Sequence, residues 1–157
     1  LPHHPLGAGF CDRETMSEVL TVLLRLAGAG LILLALLHIP IGRVMKWKEE
    51  GRKLSPENEQ VFHVHTFFIC LAIVLMALPC LLMPSVFLEK SAASVWLAAS
   101  LSAFWAIRLY FQFFVYRSDL WRGKKRETLI HWWFAFVWLS LALLFAACVA
   151  FQLDWFG

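Results

Sequence analysis

The stretch "VFHVHTFFICLAIVLMALPCLLMPSVF", Val61 to Phe87, decides the fold. It contains no Asp, Glu, Lys or Arg, and it is longer than the roughly 20 apolar residues needed to cross a hydrocarbon core about 30 Å thick. Three more runs share its character: Val19 to Ile41, Ala92 to Tyr116 and Leu129 to Phe151. The chain as a whole is 61% hydrophobic and 16% charged, against about 25% charge in a soluble domain. The apolar excess is concentrated in the four runs, which is the pattern of a membrane protein.

A backbone in lipid must satisfy its own hydrogen bonds, so each run is predicted to be a helix. The fold expected is all-α, an integral membrane up-down four-helix bundle. Its helices are expected at about 19–41, 59–87, 92–116 and 128–153, in one transmembrane domain over 17–157. Residues 1–16 read as an N-terminal tail or extension outside the helices. The connections Leu88 to Ser91 and Arg117 to Thr128 are short, which favours antiparallel neighbours.

Ten of the fourteen basic residues lie in the first and third loops, at Arg43, Lys46, Lys48, Arg52, Lys53, Arg117, Arg122, Lys124, Lys125 and Arg126. The positive-inside rule places those loops in the cytoplasm and both termini on the extracytoplasmic side. The expected location is a bacterial inner (plasma) membrane, crossed several times. The basic loops are explained by topology and by anionic lipid, so no nucleic-acid partner is expected. None of the four cysteines forms a C-x-x-C pair, and Cys70, Cys80 and Cys148 read as small buried residues within helices.

The decisive stretch also carries His63 and His65 near its beginning, four and six residues after Glu59. His38 lies near the end of the first run, and His131 near the start of the fourth. All four imidazoles are thus expected at one depth near the cytoplasmic face. Glu59 and His63 are four apart, as are Glu127 and His131, and such pairs share a helix face. Each glutamate also sits in a first helical turn, where the helix dipole alone accounts for it. On the third run Ser102, Trp105, Arg108, Gln112 and Tyr116 recur at spacings of three and four, forming a polar stripe that reaches the same level.

Three functions remain open on these residues. One is electron transfer through haem b or a transition metal. His38, His63 and His131 would be the ligands, with His65 as the alternative on the second helix. Glu59 and Glu127 would ligate or orient, and Arg108 and Gln112 would line the cofactor. Another is a non-catalytic accessory or structural subunit of a larger membrane complex, with lipid and other membrane subunits as its partners. The third is a small transporter or proton path. No nucleophile–base pair or phosphate loop is present, so the chain is not expected to be an enzyme on its own.

The pieces "LSPENEQVF" (Leu54 to Phe62) and "FWAIRLYFQFFVYR" (Phe104 to Arg117) resemble stretches of a family of small, uncharacterised four-helix bacterial membrane proteins. The resemblance implies the four-helix fold and a bacterial inner membrane, with no established activity. It fits the Arg108 and Gln112 stripe better than the His63 and His65 pair, where the family carries aromatic residues.

Overall fold

The computed structural model describes residues 8–44, 46, 49, 51–117 and 121–155. These residues are all-α, with four long helices and no strand among them. The helices are α1 (Ala8–Val44), α2 (Pro56–Leu82), α3 (Ala92–Phe114) and α4 (Lys125–Gln152), with a 3-10 turn at Pro84–Phe87. All four are long and apolar enough to cross a membrane.

Their boundaries follow local chemistry. α2 begins where Ser55 accepts a hydrogen bond from the Asn58 backbone N–H and Pro56 opens the first turn. Its expected end at 87 is corrected to Leu82. Pro84 disfavours helical geometry in the residue before it, and Met83 leaves the helical region at φ −139° and ψ 56°. Ser91 caps α3 by accepting from the Ser94 N–H at 3.1 Å. α4 starts at Lys125 rather than 128: the Thr128 hydroxyl donates to the Trp121 carbonyl at 2.7 Å, while the Thr128 N–H already bonds Lys124.

The expected tail at 1–16 is corrected as well, because α1 begins at Ala8. The run from Arg13 to Glu18 contains good helix formers. Arg13 also anchors it, by a salt bridge to Asp154, a hydrogen bond to the Phe151 carbonyl and a guanidinium 4.2 Å from the Phe151 ring centre. His3 and His4, like Trp47, lie outside the described residues.

The chain divides into two compact units, Val22–Pro84 and the remainder. In the first, α1 meets α2 at Gly28. A Cβ there would stand 2.7 Å from Leu81 Cγ and 2.9 Å from the Ala77 carbonyl oxygen, so only glycine permits the approach. In the second unit, α3 and α4 run antiparallel. Ser102 Oγ donates to the Ala142 carbonyl at 2.9 Å, Trp105 stacks on Trp138 at 5.1 Å, and Gln112 reaches His131 at 3.0 Å. Numbers rise on one helix as they fall on the other. At the far end Phe87 packs on Phe145, both fully buried, and the Gln152 amide donates to the Phe87 carbonyl at 2.9 Å.

Large apolar side chains stay exposed along every helix, among them Leu33 on α1, Phe67 on α2, Phe114 on α3 and Phe136 on α4. A soluble monomer rarely leaves so much contiguous apolar surface open. Several helix-borne hydroxyls and thiols turn back onto their own backbone, as Thr66 does to Phe62, Cys80 to Met76 and Ser140 to Phe136. Such bonds satisfy the polar group within its own helix.

Candidate functional site

The polar stripe of α3 faces α4, and its residues form one connected ladder. Arg108 supports it from an unusual direction. Helical side chains lean toward the N-terminus of their helix, but Arg108 reaches the other way. Its Nη1 donates to Gln112 Oε1 at 3.3 Å and its Nη2 to the Tyr116 hydroxyl at 3.3 Å. Its guanidinium carbon lies 5.0 Å from the Trp138 ring centre and 5.4 Å from that of Tyr116. The Arg108 backbone is about 9 Å inside the end of α3 at Phe114, by the rise of an ideal helix. The side chain lifts its charge from that depth toward the loop end.

Arg108 fixes the orientation of its neighbour. A guanidinium has donors only, so the Gln112 oxygen must face it. The Gln112 amide nitrogen then points at His131, 3.0 Å from Nδ1 and 3.3 Å from the His131 carbonyl oxygen. An amide nitrogen donates, so His131 Nδ1 accepts. The neutral imidazole therefore carries its hydrogen on Nε2. That Nε2 is buried without a hydrogen-bond partner. Trp121 stacks on the ring at 4.2 Å and 14°, and Phe113 and Trp132 meet it edge-on. The indole N–H groups of Trp105, Trp121 and Trp138 are also buried without a partner. Each of these four unpartnered nitrogens is a donor.

The remaining candidates are placed differently. Glu59 and His63 do form the expected pair, with Nε2 3.9 Å from the carboxylate, an ion pair only when the imidazole is protonated. Gly51 lies over both, where a Cβ would stand 3.7 Å from Glu59 Cγ and from His63 Nε2. The equivalent pair on α4 does not form: His131 turns to Gln112, and Glu127 stays exposed in the first turn. His65 is exposed, and its Nδ1 donates to the Val61 carbonyl at 2.9 Å. His38 is half-buried, and its Nδ1 donates to the Leu34 carbonyl at 2.8 Å. His38, His63 and His65 belong to one compact unit, and His131, Arg108 and Gln112 to the other.

These environments test the residues against a metal or haem. A ligating histidine offers a lone pair from one nitrogen and donates the other N–H to an acceptor. His131 has the opposite arrangement, with a donor facing Nδ1, so it does not fit an axial ligand while Arg108 holds Gln112. His65 does have the ligating arrangement, since its Nδ1 hydrogen is spent on the Val61 carbonyl and Nε2 is left with its lone pair; the His38 Nδ1 hydrogen is likewise spent on the Leu34 carbonyl. Among the described residues no three of His, Cys, Asp and Glu stand together as a metal site.

The sequence singles out neither Trp138 nor the stacking role of Trp121. A signal for the former exists. His131, Trp138 and Phe145 recur every seven residues on α4, and all three are buried. A heptad of that kind marks the face turned to a neighbouring helix. Beside the ladder, Gly123, Lys124, Lys125, Thr128, Leu129 and Trp132 line an open groove of about 470 Å³. The chain matches no known family, no curated protein and no solved structure.

Proposed function

We propose that the chain is a multi-pass protein of a bacterial inner membrane, with its basic loops in the cytoplasm, and that it acts as a non-catalytic accessory subunit of a larger membrane assembly. One observation carries the reading. Ser102, Gln112 and Gln152 spend hydrogen bonds inside the unit that α3 and α4 form, whereas the outer faces present wide apolar surface. Gln112 holds His131, Ser102 holds the Ala142 carbonyl and Gln152 holds the Phe87 carbonyl. Trp96, Phe114 and Leu129 are each more than 70% exposed. Apolar surface at this scale suits lipid and the flank of another subunit.

Extraction in a mild detergent followed by native electrophoresis tests it. An accessory subunit migrates with partners of defined stoichiometry. Migration as a bare monomer or homo-oligomer excludes the role. Thiol labelling from either side of the membrane at Lys124→Cys and Glu89→Cys tests the orientation, with the first expected to react from the cytoplasm.

A second reading is favoured by His65, whose Nδ1 hydrogen is spent on the Val61 carbonyl so that Nε2 keeps its lone pair. With the imidazole of His38 it would hold the iron of a haem b in an electron-transfer role. The visible spectrum of the purified protein decides it: a Soret band lost in His38→Ala and His65→Ala supports haem, and a featureless spectrum without bound metal ends the reading.

A further inference from the structure

The open groove at the start of α4 has a charged end and an apolar end. Gly123, Lys124, Lys125, Thr128, Leu129 and Trp132 line it, and its volume of about 470 Å³ falls within the roughly 300–1,000 Å³ of ordinary ligand clefts. At the loop end the charge is one-sided. Arg122, Lys124, Lys125 and Arg126 are exposed, with Glu127 the single acid beside them, and none of these five makes an ion pair among the described residues.

At the other end the groove continues into an apolar strip. Leu129, Trp132, Phe136 and Leu143 are each more than half exposed, and their spacings of three, four and seven put them on one face of α4 together with Lys125. Trp132 also touches Phe113 of α3, with ring centres 5.8 Å apart, so a second helix supports that wall. From Leu129 to Leu143 the strip runs about 21 Å by the rise of an ideal helix. That is longer than half of a hydrocarbon core about 30 Å thick.

The two ends together select the occupant. Unneutralised cations at the mouth call for an anion, and they repel a second copy of the same face. The strip calls for a long apolar chain and not a small ion. An acidic peptide laid along it would leave backbone groups unsatisfied at hydrocarbon depth. We propose that the groove binds one anionic phospholipid, its phosphate at Lys124 and Lys125 and an acyl chain along Leu129, Trp132 and Phe136. The inference rests on the membrane reading but not on the subunit role.

The test is native mass spectrometry of the full chain in detergent, with phosphatidylglycerol, phosphatidylcholine of the same acyl chains and inorganic phosphate as separate probes. One phosphatidylglycerol per chain is expected to survive washing that strips phosphatidylcholine. Lys124→Gln with Lys125→Gln should weaken it at least tenfold, and Leu129→Gln, in the path of the tail, several-fold. Arg52→Gln with Lys53→Gln removes the same charge from the other basic loop and should leave binding unchanged, which separates a site from the diffuse attraction of basic loops for anionic lipid. Equal retention of phosphatidylcholine, displacement of the lipid by inorganic phosphate, equal weakening in the two double variants, or unchanged binding in the groove variants would each overturn the proposal. So would loss of a bound protein, and not of lipid, from the groove double variant. All five positions are exposed, so the variants should keep their helical circular dichroism; should one lose it, the other groove variant decides. Release of the chain from membranes by alkaline carbonate without detergent would instead remove the membrane reading, a separate result.

Discussion

Gln112 Nε2 stands 3.0 Å from His131 Nδ1, and the geometry admits only one direction for the hydrogen between them. The direction is imposed by Arg108, four residues earlier on α3, which bonds Gln112 and cannot accept. The contact joins α3 to α4 alongside Ser102–Ala142 and Trp105–Trp138, and it sets the face that His131 shows to its surroundings.

Replacing Gln112 by Glu reverses that polarity. A carboxylate accepts from Arg108 and from the imidazole alike, so the ring hydrogen moves to Nδ1. Nitrogen-15 NMR of labelled histidine should show the Nε2–H tautomer for His131 in the unaltered chain and an Nδ1–H in Gln112→Glu. An unaltered chain with its hydrogen on Nδ1 would contradict the amide orientation derived from Arg108. Gln112→Leu, which leaves His131 and Arg108 without their shared partner, should cost about 1–3 kcal/mol of stability.

Asp154 closes α4 with a residue in left-handed geometry, at φ 56°. The Asp154 N–H bonds the Phe151 carbonyl and the Trp155 N–H the Ala150 carbonyl, the pairing of a Schellman cap, in which glycine is the usual residue. The aspartate is held there by Lys90 at 2.6 Å and by Arg13. The Lys90 hydrogen bond first, and then the charges of Lys90 and Arg13, keep its carboxyl below the usual carboxylate range. A folded-state value below the unfolded one means that the stabilisation is complete above the ordinary Asp value near 3.9 and fades as pH falls through the lower, folded value. The melting temperature of the unaltered chain should therefore drop on acidification below about pH 4, and Asp154→Asn should lose this part of the acid dependence. High salt should shrink the difference between the two, because the groups are exposed. Asp154→Gly separates the two roles of the residue: the backbone strain is relieved while both ion pairs are lost.

Much of this was legible in the sequence, and the reasons differ by residue. Four apolar runs fix the number of helices because only a helix or a closed barrel satisfies the backbone in lipid. The stripe from Ser102 to Tyr116 is visible because spacings of three and four define a face. Its connection to His131 and Trp138 is not, since two antiparallel helices can slide in register without changing either pattern. The equal spacing of Glu59–His63 and Glu127–His131 suggests the same pair twice. It forms once only, because His131 has a better partner across the helix interface, and local spacing carries no trace of that competition. The start of α1 was hidden for a similar reason: Arg13 finds its partners at Phe151 and Asp154, at the other end of the chain.

The sequence "AGAG", Ala27 to Gly30, offers two glycines for close helix approach, and the structure assigns the role to one of them. At Gly28 an added Cβ meets the Ala77 carbonyl at 2.9 Å and the Cys80 Cβ at 3.1 Å, neither of which can swing away. At Gly30 nothing lies within 4 Å. Gly28→Ala should then destabilise the protein by about 1–3 kcal/mol, the range for forcing extra volume into a packed contact. Gly30→Ala should be neutral or stabilising by up to about 1 kcal/mol, because alanine costs less backbone entropy in a helix. Thermal unfolding of the two variants in the same detergent checks the contrast. Equal effects would mean that α1 meets α2 on another face, and the close approach at Ala77 would have to be abandoned.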